Sequence, residues 1–86
     1  MKVLNKYKDT IPADAVYIGR PSKFGNPFNI RPSRTREEAI LMYREWIKTQ
    51  PEIIESARKE LKGKSLVCFC APKPCHGDVL MEIANQ

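Results

Sequence analysis

Leu66-Val-Cys-Phe-Cys-Ala-Pro-Lys-Pro-Cys-His-Gly-Asp-Val-Leu80 decides how this chain folds. The run from Ser65 to Cys70 is apolar and bounded by turn residues, so it reads as a strand. Side chains alternate along a strand, placing Leu66, Cys68 and Cys70 on one face and Val67 and Phe69 on the other. Ala71-Pro-Lys-Pro74 is a stiff turn. From Cys75 or His76 the chain enters a helix whose apolar side is Val79, Leu80 and Ile83. All three cysteines and the only histidine fall in the nine positions from Cys68 to His76.

The rest of the chain supplies elements to surround that strand. Lys2 to Tyr7 reads as a short edge strand. Ala15-Val-Tyr-Ile18 reads as a buried strand stopped by Gly19. Thr35 and Glu38 have capping-box spacing. Ala39, Ile40, Tyr43, Trp46 and Ile47 then form one apolar stripe of a helix; Tyr43 and Trp46 could stack on a base, but their place on the stripe favours the core. Pro51 suits the first position of a second helix. Ile53, Ile54, Ala57 and Leu61 give its buried side, and Gly63 suits its C-terminal cap. Glu55 and Lys59 are spaced for an i,i+4 ion pair worth a few tenths of a kcal/mol. Helical segments between strand-like runs predict an α/β fold, with a short, mostly parallel three-stranded sheet packed by about three helices. Neither linker nor repeat divides residues 1–86, so one domain is expected.

Composition narrows the chemistry. With 86 residues, 42% hydrophobic and 29% charged, the chain has the make-up of a small globular protein. No apolar run is long enough to span a bilayer, so no membrane partner is expected. Met1-Lys-Val-Leu-Asn-Lys-Tyr-Lys8 lacks the apolar core of a signal peptide, and three cysteines are an odd number. Both observations point to a reducing, cytoplasmic setting. The net charge of +5 predicts an anionic partner: a nucleotide, another phosphorylated small molecule, or nucleic acid. Arg20, Lys23, Arg31, Arg34 and Arg36 occupy a stretch with no acidic residue, so the excess is concentrated around one loop.

That loop is Gly19-Arg-Pro-Ser-Lys-Phe-Gly-Asn-Pro-Phe28. Its glycines and prolines exclude a regular helix. Gly19 and Gly25 allow close backbone approach to a ligand, Arg20 and Lys23 supply charge, and Asn26 can bond a base, sugar or phosphate. Phe24 and Phe28 plug the core in the purely structural reading of the same loop.

The cysteine–histidine cluster has two chemical readings. If Cys75 lies at a helix N-terminus, the unpaired N–H groups favour thiolate. His76 beside it could shuttle protons, and Asp78 could orient His76 or simply occupy the first helical turn. The same N-terminus, with Cys70 at a strand end, suits an anion. The other reading is zinc held by Cys68, Cys70, Cys75 and His76, a composition found in tetrahedral sites. The C-x-C spacing and adjacent Cys-His pair depart from the usual C-x₂₋₄-C knuckle. A metal-stabilised module that binds nucleic acid by charge is thus the alternative to a nucleotide site.

These residues also carry a family resemblance. Ile18-Gly-Arg-Pro-Ser-Lys-Phe-Gly-Asn-Pro-Phe28, the Tyr43-Arg-x-Trp46 helix and Cys68-x-Cys-Ala-Pro-x-Pro-Cys-His-Gly-Asp78 resemble the uncharacterised family called domain of unknown function 4326. The similarity spans roughly residues 15 to 84. It implies a small microbial or viral protein with a shared site, and no established reaction. The ending Cys-x₄-Cys-His is loosely similar to a second uncharacterised family, number 488, in which an arginine stands where this chain has Gly77.

Overall fold

Six elements form among residues 3–28, 31–69 and 73–86, the residues described by the computed structural model: β1 (Val3–Asn5), β2 (Val16–Tyr17), α1 (Arg36–Ile47), α2 (Pro51–Glu60), β3 (Leu66–Cys68) and α3 (His76–Ala84). Strand β3 is central. It pairs in parallel with β1, aligning Val3 with Leu66 and Asn5 with Cys68, and in parallel with β2, aligning Val16 with Leu66 and Tyr17 with Val67. A parallel strand between two others is covered on both faces, which is why its sequence reads as a continuous apolar run. Leu66, Val67 and Cys68 are all buried. Leu66 and Cys68 join the core beneath the helices; Val67 alternates to the other face, where Leu4 is also buried.

The helices follow their sequence signals. Thr35 Oγ1 accepts the Glu38 N–H at 3.1 Å, and Glu38 Oε1 accepts the Thr35 N–H at 3.4 Å, completing the capping box of α1. Ala39, Tyr43 and Ile47 form its buried line, flanked by half-buried Ile40 and Trp46. Pro51 starts α2, and Gly63, at φ 79°, supplies the left-handed turn beyond its end. The Glu55–Lys59 pair forms at 2.9 Å on an exposed surface. Helix α3 packs against both other helices, and an Arg44–Glu82 ion pair links it to α1. The fold is α/β, with a parallel sheet of three strands and three helices among the described residues. None of these helices is long and apolar enough to cross a membrane.

Parallel pairing sets where a site can form. Because β1, β2 and β3 run the same way, Tyr7, Gly19 and Phe69 all leave the sheet at its carboxyl edge. Ligands of open parallel sheets gather beyond that edge.

Candidate functional site

A cleft of ≈ 800 Å³ opens at this edge. The glycine loop contributes Gly19, Arg20, Asn26 and Phe28 to its lining, and Arg31 follows. Helix α1 adds Arg36, Ala39 and Ile40 from its first turns. The sheet adds Tyr17, Cys68 and Phe69, and the start of α3 adds Cys75 and His76. The basic loop and the cysteine–histidine corner therefore share one cleft, because β2 and β3 are parallel neighbours. Among the described lining residues there are three arginines and no carboxylate.

Cys75 caps α3. Its Sγ accepts the Gly77 N–H at 3.3 Å and lies 3.5 Å from Cys68 Sγ. The extended backbone at Cys75 turns the chain from Pro74 into the helix. Asp78 accepts the Cys75 N–H at 3.3 Å, closing a capping box. It is exposed and does not line the cleft, so its placement fits the first-turn reading and does not set it to orient His76.

His76 is nearly buried, edge-on to the Tyr43 ring at 5.0 Å. Its Nε2 donates to Ile18 O at 2.8 Å. A carbonyl only accepts, so neutral His76 carries its proton on Nε2 and leaves Nδ1 as the basic nitrogen. Burial pushes its pKa below the ordinary 6.5; the Ile18 bond opposes this, Arg20 lowers it further, and Asp78 raises it. The stability linked to this shift is fully present above pH 6.5, where both folded and unfolded histidine are neutral. It is lost as pH falls through the lower folded value, because the unfolded state takes the proton first. Melting temperature is thus expected to fall between pH 7 and 5 with a His76 contribution of at most about 1.4 kcal/mol per pH unit. His76→Gln should flatten that part of a thermal melt series, and an unchanged slope would show that His76 is not held neutral.

Other expected site residues are placed differently. Lys23 does not line the cleft; it pairs with Glu60 at 2.5 Å and stands over the Phe24 ring. Gly25 is also outside the lining and lies against Arg20. Asn26 does line it, but its Nδ2 donates to Ala39 O at 3.2 Å and its Oδ1 accepts the Phe28 N–H at 2.8 Å. Its amide shapes the loop and docks it on α1. Cys70 lies outside the described residues, so the four-residue zinc set is not described as a whole. Among the described residues no three His, Cys, Asp or Glu side chains gather as metal ligands.

Arg31, Arg36, Phe28, Tyr17 and Phe69 join the site without having been singled out as ligand contacts. The acid-free stretch was the signal for the arginines. Arg36 bridges α1 to the corner by donating to Pro74 O at 3.3 Å. No comparable sequence signal marks Tyr17 or Phe69, since aromatic residues in short strands equally suit a core.

Comparison with known proteins gives a consistent but sparse picture. Residues 2–86 match the model of the family described as Domain of unknown function (DUF4326). The chain is 35% identical over 88 residues to the "Uncharacterized 12.4 kDa protein in nrdA-td intergenic region" of Enterobacteria phage T4, covering 99% of this chain and 78% of that protein. No solved structure matches.

Proposed function

The chain belongs to the DUF4326 family, and we propose that its cleft binds a nucleotide or a related phosphorylated small molecule. The observation that carries this reading is a lining without acidic groups among the described residues: Arg20, Arg31 and Arg36 surround a cleft beyond the carboxyl edge of a parallel sheet. Guanidinium groups form strong, directional bonds to phosphate oxygens. The starts of α1 and α3 add first-turn residues, where the helix dipole also favours an anion. The volume falls in the ordinary range for small-molecule sites. Tyr17, Phe28 and Phe69 offer apolar surface for the rest of the ligand.

Any chemistry would belong to Cys75 and His76. The unprotonated Nδ1 of His76 can accept a proton, and the Cys75 thiol is the nucleophile beside it. Asp78 would support them through the α3 cap. Binding comes first in the test. Inorganic pyrophosphate and a panel of nucleoside mono- and diphosphates should be screened by thermal shift, then by calorimetry. A ligand at one hundred times its dissociation constant adds about 2.7 kcal/mol, or roughly 10–20 °C in a domain of this size. Arg20→Ala and Arg36→Ala should each weaken binding by about tenfold or more, matching the loss of a charge-assisted hydrogen bond. If none of these anions stabilises the wild-type protein, the reading fails.

A further inference from the structure

Three aromatic side chains stand together at the ends of the three strands. Phe69 lies 5.2 Å from Tyr7 and 5.8 Å, edge-on, from Tyr17, measured between ring centroids. Tyr17 and Phe69 line the cleft, whereas Tyr7 continues the surface past it. Tyr7 is 81% exposed and Phe69 45% exposed. So much open aromatic surface is unusual in a core cap, because Tyr7 at that exposure shields little from water.

The surface is nonetheless held in place. Asn5 is 5% exposed, a buried polar residue that needs partners. Its Nδ2 donates to Phe69 O at 3.2 Å, and its Oδ1 accepts the N–H groups of Tyr7 at 2.9 Å and Lys8 at 3.2 Å. Asn5 thus fixes the backbone carrying two of the rings. The Tyr17 hydroxyl donates to Arg20 O at 3.0 Å, tying the third ring to the basic loop. Lys6 holds its ammonium over the Tyr17 and Phe69 rings, 5.4 and 5.6 Å from their centroids, so a base stacking there takes the place of a cation that can turn to its phosphate.

We propose that this ledge stacks successive bases of a single-stranded nucleic acid whose phosphate occupies the arginine cleft. The inference rests on the anion-binding reading of that cleft and names its ligand class. A mononucleotide would be served by Tyr17 and Phe69 alone; Tyr7 extends the platform beyond the cleft by one more ring. Lys6 and Lys8 flank Tyr7 in sequence, which suits a backbone that carries phosphates along the ledge. A duplex keeps its bases stacked on each other and offers no faces to these rings.

Fluorescence anisotropy with a labelled ten-nucleotide single strand, competed by the matching mononucleotide, provides the test. The same sequence as a duplex is the second probe. The single strand should bind at least about tenfold tighter than the mononucleotide and than the duplex. Tyr7→Ala should weaken the single strand about tenfold and leave mononucleotide affinity unchanged; Tyr7→Trp should restore it. Phe69→Ala should weaken both ligands. Tyr7 is so exposed that its replacement does not threaten folding. Equal affinity for single strand and mononucleotide, equal affinity for duplex, or a silent Tyr7→Ala would overturn the ledge while leaving the cleft reading intact. Failure of both mononucleotide and oligonucleotide to bind would overturn the two together.

Discussion

Tyr43→Ala is expected to leave the protein unfolded or nearly so at room temperature. Tyr43 is fully buried in α1, with its ring 5.6 Å from Trp46 and 5.0 Å from His76. Its hydroxyl donates to Phe24 O at 2.8 Å. One side chain therefore joins the helical layer, the glycine loop and the start of α3. Truncating a buried aromatic costs about 3–5 kcal/mol, and the abandoned Phe24 carbonyl adds roughly 1–3 kcal/mol. The whole stability of a small domain is about 5–15 kcal/mol, so the loss takes most of it. Tyr43→Phe keeps the ring and should cost about 1–2 kcal/mol, visible as a drop of several degrees in a thermal melt. Burial also raises the Tyr43 pKa well above the ordinary 10.0. Its contribution is thus present below pH 10 and lost as pH rises, because the unfolded phenol ionises first. Tyr43→Phe should remove that alkaline slope. An alanine variant within 1 kcal/mol of wild type in urea unfolding would mean that the phenol does not join these three parts.

The order of elements was legible because each carries its own punctuation. Thr35 and Glu38 announce α1, Pro51 announces α2, and the short apolar run from Leu66, bounded by turn residues, suits a strand. The shared cleft was legible too, given parallel pairing of β2 and β3, because such pairing puts Arg20 and the Cys75–His76 corner beyond one edge. Individual side chains were harder to read. Lys23 belongs to the basic loop by sequence, yet Glu60, on α2, draws it away from the cleft. Arg36 occupies the first position of a helix that looks like scaffold, and only the fold turns it towards Pro74. Asn26 carries the right groups for a ligand, but Ala39 O and the Phe28 N–H take them. Asn5 gives no signal in sequence, because its partners come from both its own turn and Phe69, 64 residues away just beyond β3. Local pattern identifies a residue's chemistry; which neighbour uses that chemistry depends on long-range packing.

Gly77 was legible only as a departure, the place where a loosely similar family has arginine, yet any side chain there should be costly. A Cβ on Gly77 would stand 2.9 Å from Ile18 Cδ1, 2.9 Å from Val3 Cγ2 and 3.2 Å from Cys75 Sγ. The first turn of α3 thus rests directly on the sheet, over β1 and the end of β2. In an open helix, glycine to alanine would gain up to about 1 kcal/mol from propensity. Here overpacking opposes that gain with about 1–3 kcal/mol, so Gly77→Ala should be net destabilising. Gly77→Val adds branching that neither Ile18 nor Val3 can clear, and should cost about 3 kcal/mol or more. Its effect should also reach the site. Lifting this turn moves His76 from Ile18 O and Cys75 from Cys68, contacts that now stand at 2.8 and 3.5 Å. Gly77→Val is therefore expected to lose the acid slope due to His76 and the binding of pyrophosphate or nucleotide together, in protein still folded by circular dichroism at low temperature. Thermal melts of the Gly, Ala and Val series at pH 7 and 5 would measure both effects. A more stable alanine variant, by the propensity gain alone, would show that the start of α3 is not seated on the sheet, and the site would then owe its geometry to the glycine loop.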